Sequence, residues 1–423
     1  MLEVIKNCLK ESGAYGWEIT DEKTEGWEFY FIGHRLDQNR VRSVEHIVVK
    51  VYQKFEEYLG SASAEIPVTA SLEEVRKQIS LLLEEALLVK NPFYELNTPK
   101  EIETEVQDLP DLAGIARDFI EVLKDPGETR DEFLNSYEIF VNGVTKRFVN
   151  SNGIDVTSVY PSSMAEVVIN ARNKDHEIEL YRMFTSGTCD REALKKEVQD
   201  LMRYGKDRLN AGKTPNLGSC DVVFSTFAAA QLYEYFFSRM SSNMKYQKLS
   251  DWETGKAIAD FRKDRITLKA LRHLDNSSAN CAFDSEGAPV RDLTLIDAGV
   301  PAAWYGSRQF SWYLGLKDSF IPQNFSVEGG SSTAEELRTG NFLEVVEFSD
   351  FQVDPVSGNI AGEIRLGYLH TEQGTEIVSG GSVSGTMADL MPELRCSKEQ
   401  KQYNSCLIPA VTRLHGVTVS GAQ

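Results

Sequence analysis

The residues best suited to chemistry lie in one stretch of the chain, Cys281–Gly315. Asp284 and Glu286 stand two positions apart, and Gly287 permits the positive φ of a tight turn. Two neighbouring carboxylates can act as a general acid and a general base, and Arg291 follows them closely. Short acids at turns also bind backbone N–H groups. The sequence leaves both roles open for the two acids.

The residues that follow must position this turn. Leu293, Leu295 and Ile296 predict a short strand, Asp297–Val300 a turn, and Ala302–Trp304 a return strand. Closely spaced aromatic residues come next: Trp304, Tyr305, Phe310, Trp312 and Tyr313. One interpretation is a β-hairpin with an aromatic core. The other is the wall of a functional site, because polar side chains on tight loops often carry function.

Other reaction types have less support. The segment Gly380–Gly385 is rich in glycine but lacks the Gly-Lys-Ser/Thr ending of a phosphate-binding loop, and it is predicted to be a turn. The sequence contains no Gly-x-Ser-x-Gly motif, so serine hydrolysis has no support. The six histidines are all more than five residues apart, so none forms the helical pair of a zinc site.

The stretch around the two acids resembles a known family. It fits the pattern F-D-x-E-G-x-x-x-x-x-x-x-L-I-x-x-G-V of the TldD/PmbA family, whose PmbA members are also called TldE. Similar segments recur at Ser151–Gly153, Phe351–Asn359 and Gly421–Gln423. The resemblance covers nearly the whole chain, and it favours the PmbA/TldE type.

The resemblance also implies where a metal would lie. TldD-type members carry His-Glu-x-x-x-His on a helix and a later Cys as the third zinc ligand. In the matching helix, Tyr233 and Ser238 stand at the two His positions, and only Glu234 is kept. Cys396 and Cys406 lie in the region of the family's Cys but lack its glycine-rich setting. We therefore expect no metal on this chain and zinc on a TldD-like partner.

Composition limits the classes of partner. The net charge of −19 opposes a role that follows nucleic-acid phosphates, so any effect on DNA gyrase, for which family members are named modulators, is expected to be indirect. No continuous apolar run is long enough to cross a membrane. Six cysteines spread over 423 residues, without a Cys-x-x-Cys pair, indicate free thiols in a reducing cytoplasm.

The remaining patterns predict an α+β protein. Helices are expected over residues 1–12, from the capping box at Ser71–Glu74 onward, and over 112–123, 190–209 and 226–240. Asn142-Gly143 between β-prone runs predicts a hairpin turn, residues 95–111 predict a loop, and Leu407–Val417 predicts one strand. We expect an N-terminal α+β domain of hairpins and helices over residues 1–212. A C-terminal, mainly β domain should cover residues 213–423.

Three functions remain open. The first is a PmbA/TldE-like subunit of a peptidase that acts on unfolded or short peptides, paired with a TldD-like subunit or with itself. Asp284, Glu286, Arg291 and Glu234 would then contact peptide in an enclosed chamber. The second is a homodimeric metallopeptidase with non-standard ligands such as His370, His415 and Cys396. The third is a non-enzymatic binding or scaffolding protein.

Overall fold

A six-stranded antiparallel sheet forms the first half of the molecule. The computed structural model describes residues 1–101, 108–316 and 319–422. The strands of this sheet are β1 (Gly16–Ile32), β2 (Arg35–Phe55), β3 (Tyr58–Ile66), β4 (Glu132–Asn150), β5 (Asp155–Arg172) and β6 (Glu177–Ser186). Their order is β3-β2-β1-β4-β5-β6, so β3 and β6 are the edges.

Four helices cover one face of this sheet: α1 (Leu2–Glu11), α2 (Leu72–Ala86), α3 (Leu112–Lys124) and α4 (Arg191–Leu209). Ser71 caps α2 in the predicted capping box, in which the Glu74 side chain accepts from the Ser71 N–H. The buried positions of α2 recur every three or four residues, as an amphipathic helix requires, and they pack with α1 on the sheet. The helices α3 and α4 form a second cluster beside them.

The predicted hairpin at Asn142-Gly143 is wrong. Both residues lie inside β4, which pairs with β1 on one side and with β5 on the other. A Cβ added to Gly26, which pairs with Asn142, would stand 2.0 Å from the Val141 carbonyl oxygen. The glycine at position 26 thus allows the two backbones to approach. Hydrogen-bonded neighbours on both sides outweigh the local turn preference of Asn-Gly.

The second half contains two further sheets. Its strands are β7 (Gly212–Lys213), β8 (Gly218–Phe224), β9 (Leu268–Leu271), β10 (Leu293–Asp297), β11 (Val300–Pro301), β12 (Asn324–Val327), β13 (Phe342–Val353), β14 (Asn359–Thr371), β15 (Gly374–Ser379), β16 (Ser382–Thr386), β17 (Arg395–Cys396), β18 (Gln400–Tyr403), β19 (Cys406–Pro409) and β20 (Thr412–Ser420). One sheet has the order β11-β10-β9-β12-β19-β18. The other has the order β13-β8-β20-β16-β14-β15-β7, with β17 paired to β20.

The helices of this half are short, apart from one. They are α5 (Ala228–Arg239), α6 (Ser242–Tyr246), α7 (Arg308–Tyr313) and α8 (Met387–Leu390), with 3₁₀ turns at Glu336–Arg338 and Met391–Glu393. The helix α5 lies in a large apolar cluster together with residues of both sheets. This mixture confirms the predicted α+β class and the mainly β character of the second half. The division into domains at residue 212 stays a prediction.

Two strands predicted in the second half are placed differently. The return strand is Val300–Pro301 rather than Ala302–Trp304. The N–H groups of Ala302 and Ala303 both donate to the Leu295 carbonyl, so regular strand pairing stops there. The strand predicted over Leu407–Val417 is two strands, β19 and β20. The chain leaves one sheet after Pro409 and enters the other at Thr412, so a single strand cannot continue.

The aromatic residues after Trp304 do not form the core of a hairpin. Phe310, Trp312 and Tyr313 lie on α7, and the Tyr313 ring packs edge-on against Tyr94 from the first half.

Of the loop predicted over residues 95–111, positions 102–107 lie outside the described residues, as does Gln423 of the terminal family-like segment. Within the described ranges, the helices are all too short or too polar for a membrane span.

Candidate functional site

Asp284 is buried at the centre of the turn that the sequence singles out. Its side chain is 4% exposed, and three backbone N–H groups donate to it. The N–H groups of Glu286 and Ala288 donate to Oδ1 at 2.8 and 2.9 Å, and that of Ile321 donates to Oδ2 at 2.8 Å. Asp284 therefore holds the turn together and ties it to the segment after α7. Both carboxylate oxygens are occupied by the chain itself.

Glu286 joins the turn to two other parts of the chain. The Arg308 N–H, at the start of α7, donates to Glu286 Oε2 at 2.6 Å. The Asn97 side chain donates to the Glu286 carbonyl oxygen at 3.1 Å, and Arg308 Nε donates to the Glu95 carbonyl at 2.7 Å. Glu286 thus lies where the first half of the molecule meets the second.

A third carboxylate, Glu18 of β1, lies beside these two acids and is 7% exposed. The Tyr52 hydroxyl donates to Glu18 Oε2 at 2.7 Å. Lys50 is paired with Glu18 in the strand register and interacts electrostatically with both Glu18 and Glu286. We call Glu18, Asp284 and Glu286 the carboxylate cluster. Lys50 offsets part of its charge, and Arg308 does so at Glu286.

Burial governs the protonation of this cluster. Removal from water, together with the nearby charges of Glu286 and Asp284, raises the pKa of Glu18 to about 7 against the opposing effects of Lys50 and of the Tyr52 hydrogen bond. Burial and the charge of Glu286 raise the pKa of Asp284 to about 6. Burial also raises the pKa of Glu286. Three acids that share one buried region thus hold their protons at a higher pH than exposed carboxylates.

The sequence did not single out Glu18, Lys50 or Tyr52. Strand alternation places Glu18 on the opposite face from the buried Trp17 and Ile19, where solvent is the default expectation. The turn at Asp284 covers that face and buries Glu18. The one available signal was the pairing of an acid and a lysine on neighbouring strands, which requires the register to be known.

The other two predicted site residues lie apart from the cluster. Arg291 is exposed, and its guanidinium stands 4.9 Å from the centre of the Phe320 ring. Glu234 projects from the outer side of α5, and partial desolvation raises the pKa of its carboxyl. The structure therefore brings Asp284 and Glu286 together and leaves Arg291 and Glu234 at separate surfaces.

A second buried polar site lies on the inner side of α5. The Tyr233 hydroxyl is 2.7 Å from Thr412 Oγ1 and 3.2 Å from Cys396 Sγ. All three side chains are buried. Burial raises the pKa of Tyr233 well above its usual value and that of the Cys396 thiol to about 12. We call Tyr233, Cys396 and Thr412 the tyrosine–cysteine site, and all of its groups are neutral near pH 7.

Sequence comparison supports the resemblance in the second half of the chain. Residues 217–421 match the model of the PmbA/TldA metallopeptidase C-terminal domain. This segment, just under half of the chain, is a domain of the PmbA/TldD family. Comparison with curated proteins gives no significant match.

Solved structures of similar fold cover the whole length of this chain. TldE from Thermococcus kodakarensis superposes with a TM-score of 0.80 at 16% identity, over 99% of this chain and 100% of that chain. A candidate modulator of a DNA gyrase from Thermotoga maritima gives 0.76 at 17%, over 99% and 100%. A candidate modulator of DNA gyrase from Bacteroides thetaiotaomicron gives 0.78 at 17%, over 99% and 98%. At these identities the likeness establishes the fold, which is that of TldE.

The residues at which the resemblance implies zinc ligands do not fit a zinc ion. The Tyr233 phenol and the Cys396 thiol are hydrogen-bonded to each other, and zinc binds the thiolate rather than a thiol whose pKa is about 12. The alternative ligands are engaged elsewhere: His370 Nδ1 is 2.9 Å from Thr375 Oγ1, and His415 Nδ1 is 2.6 Å from Asp221. Across the described ranges, no three His, Cys, Asp or Glu side chains are grouped to hold a metal.

Proposed function

We propose that this chain is a PmbA/TldE-like subunit of a TldD/TldE-type metallopeptidase system that acts on unfolded or short peptides. A TldD-like subunit, paired with this chain in the cytoplasm, would supply the zinc and the hydrolytic water. This chain would contribute part of the wall of the peptide chamber. Any influence on DNA gyrase would then be indirect, as the net charge of −19 also suggests.

The tyrosine–cysteine site is the observation that carries this proposal. Tyr233 and Cys396 come from opposite ends of the family domain, yet they meet at the place where the resemblance puts a zinc ligand and its partner. The Tyr233 hydroxyl, hydrogen-bonded to the Cys396 thiol, would stabilise α5 without a metal. The family architecture is thus kept while the metal-binding chemistry is replaced.

The positions of the predicted contact residues refine the role of this subunit. Asp284 is fully engaged with backbone N–H groups, so we assign it to shaping the turn rather than to binding peptide. Glu234 and Arg291 are the exposed members of the predicted set, and they remain our candidates for contact with peptide.

Reconstitution tests the proposal. The partner is a paralogue from the same genome that carries His-Glu-x-x-x-His, and the substrate is an unfolded protein with free peptide segments. We expect peptide cleavage by the mixture and none by this chain alone. Replacing the partner's Glu by Gln should abolish cleavage, whereas Glu234→Gln in this chain, at a candidate peptide contact, should weaken cleavage without abolishing it. Cleavage by this chain alone would contradict the proposal.

Metal content gives a second, independent test. The chain is purified from zinc-supplemented medium and its zinc is measured by elemental analysis. We expect less than stoichiometric zinc, because the Tyr233 and Cys396 side chains are neutral and hydrogen-bonded to each other. One tightly bound zinc per chain would favour the homodimeric metallopeptidase instead.

A further inference from the structure

A groove of about 570 Å³ lies between the two halves of the molecule. This volume is within the range of small-ligand sites, which is roughly 300–1,000 Å³. Five consecutive residues of the first sheet, 182–186, form one side, and five from the second half, 400–404, form the other. The groove is therefore bordered by two lengths of backbone rather than by isolated side chains.

Both of these borders are sheet edges. In the described part of the chain, β6 pairs only with β5, and β18 pairs only with β19. The outward backbone groups of an edge strand can form hydrogen bonds with an added strand. The groove ends where the Gly187 N–H donates to the Asn276 carbonyl at 2.8 Å. A chain that enters it thus meets an open edge on each side and a closed end.

The side chains in the groove favour an uncharged occupant. Arg182 is paired with Glu347, and Lys401 is paired with Glu197. The Asp190 carboxylate accepts from the Ala193 N–H at the start of α4. Asp275 also lines the groove; it is exposed and lies 3.2 Å from His273 Nε2. Since the two cations are paired and two carboxylates have no lysine or arginine partner among the described residues, an anionic ligand would gain little, whereas an uncharged one disturbs no ion pair.

Aromatic and aliphatic surface lines the remainder of the groove. Phe227 is 51% exposed, and its ring lies edge-on to Tyr403, with the centroids 6.0 Å apart. Phe184 and Leu194 line the groove from β6 and α4. An apolar side chain on an added strand would find partners in these residues.

We propose that this groove binds an extended, uncharged polypeptide segment as an added β-strand along β6 or β18. Main-chain hydrogen bonds would supply sequence-independent affinity, and Phe227 would favour an apolar residue. The inference rests on the proposed function for the class of ligand, which is unfolded peptide. It assigns to this subunit a site that captures peptide without the partner and without metal.

Binding by the isolated chain tests this inference. The probe is a fluorescein-labelled ten-residue peptide in which Ser and Val alternate, and fluorescence anisotropy measures its dissociation constant. A copy with its six central backbone amides N-methylated keeps the composition but loses the donors for strand pairing. Phe227→Ala removes the apolar wall. Leu88→Ala, at a site 82% exposed after α2, is the matched control.

We expect saturable binding of the unmodified peptide. N-methylation and Phe227→Ala should each weaken it by about tenfold or more, as loss of a central aromatic contact commonly does, whereas Leu88→Ala should have no effect. Bound peptide should slow amide hydrogen exchange in residues 181–186 or 400–403. Equal affinity of the methylated copy, equal effects of the two substitutions, or protection only elsewhere would overturn the inference.

The groove's occupant is also distinguished from a second copy of the chain. If sedimentation shows a dimer that Phe227→Ala converts to monomer, and the peptide does not bind, the groove is an interface between copies and the inference is wrong. Peptide cleavage by the mixture with a TldD-like partner is measured separately. If the isolated chain does not bind peptide but the mixture with the partner still cleaves it, the groove is not a peptide site and the proposed function still stands.

Discussion

The carboxylate cluster and the tyrosine–cysteine site are both buried polar groups, but they are stabilised in different ways. At the tyrosine–cysteine site, neutral groups bond to one another: Tyr233 with Thr412 and with Cys396. In the carboxylate cluster, three ionisable acids share one buried region with a single lysine, Lys50. Neutral pairs can be buried at little cost once they are hydrogen-bonded, whereas buried carboxylates respond to pH.

The two sites show that buried polar groups of similar appearance can have different roles in one fold. The position where the resemblance implies a metal in TldD-type members holds neutral, hydrogen-bonded groups of the core. The turn that looks most like a site keeps its charges, yet Asp284 uses them to bind its own backbone. The chemistry of a residue type therefore does not reveal its role until its partners are known. Three substitutions sharpen this contrast.

The largest effect is expected for Asp284→Ala. This change leaves three N–H groups without an acceptor: that of Ala288 is buried, and those of Glu286 and Ile321 are partly buried. Each unsatisfied buried donor costs about 1–3 kcal/mol and partial exposure lowers that cost, so the free energy of unfolding should fall by about 3 kcal/mol. Denaturant unfolding followed by tryptophan fluorescence measures it.

Two variants control this prediction. Asp284→Asn keeps an oxygen for Glu286 and Ala288 and loses only the acceptor for Ile321, so its cost should be about one third of that of the alanine variant. Ser285→Ala, on the exposed side of the same turn, should change the free energy by less than about 0.5 kcal/mol. An Asp284→Ala protein as stable as the Ser285→Ala protein would show that the turn does not depend on these bonds.

An intermediate effect is expected for Glu18→Gln, and it should depend on pH. The folded protein holds the Glu18 proton with a pKa of about 7, above the ordinary value of 4.5. The stability that comes from this proton is fully present below pH 4.5 and is lost as the pH rises through 7. Gln keeps an acceptor for Tyr52 without the charge. Above pH 7 the variant should therefore be more stable than the wild type, by on the order of 3 kcal/mol.

The measured quantity is the difference in unfolding free energy between Glu18→Gln and the wild type, at pH values from 4.5 to 8. Using the difference cancels the titration of the groups that do not interact with Glu18. Glu25→Gln, at an exposed position of the same strand, is the control and should show no such trend. A Glu18→Gln difference that stays constant with pH would mean that the carboxylate is ionised in the folded state across this range.

Much of the fold could be predicted because its signals are local. The capping box at Ser71 and the amphipathic helices depend on residues close in sequence, and they are found where expected. The turn predicted over Gly380–Gly385 is confined to its first two residues, because β16 begins at Ser382. The Asn142-Gly143 turn failed because strands on both sides of β4 outweigh a local preference. The acid pair at Asp284 was found from its turn. Glu18 was not, because a segment more than 250 residues away buries it.

The smallest effect is expected for Tyr233→Phe. The substitution keeps the buried ring and removes one hydroxyl, so Thr412 Oγ1 and Cys396 Sγ lose a shared partner. The loss of one such buried bond typically costs about 1 kcal/mol. Because burial holds the pKa of Cys396 at about 12 and that of Tyr233 well above its usual value, no group of this site titrates between pH 5 and 8. The cost should therefore be the same at every pH in that range.

A Tyr233→Phe difference that grew with pH, as the Glu18→Gln difference should, would require an ionised thiolate at Cys396. That result would make this position a candidate metal site again. The pH dependence of the Tyr233→Phe difference therefore distinguishes a neutral part of the core from a set of metal ligands.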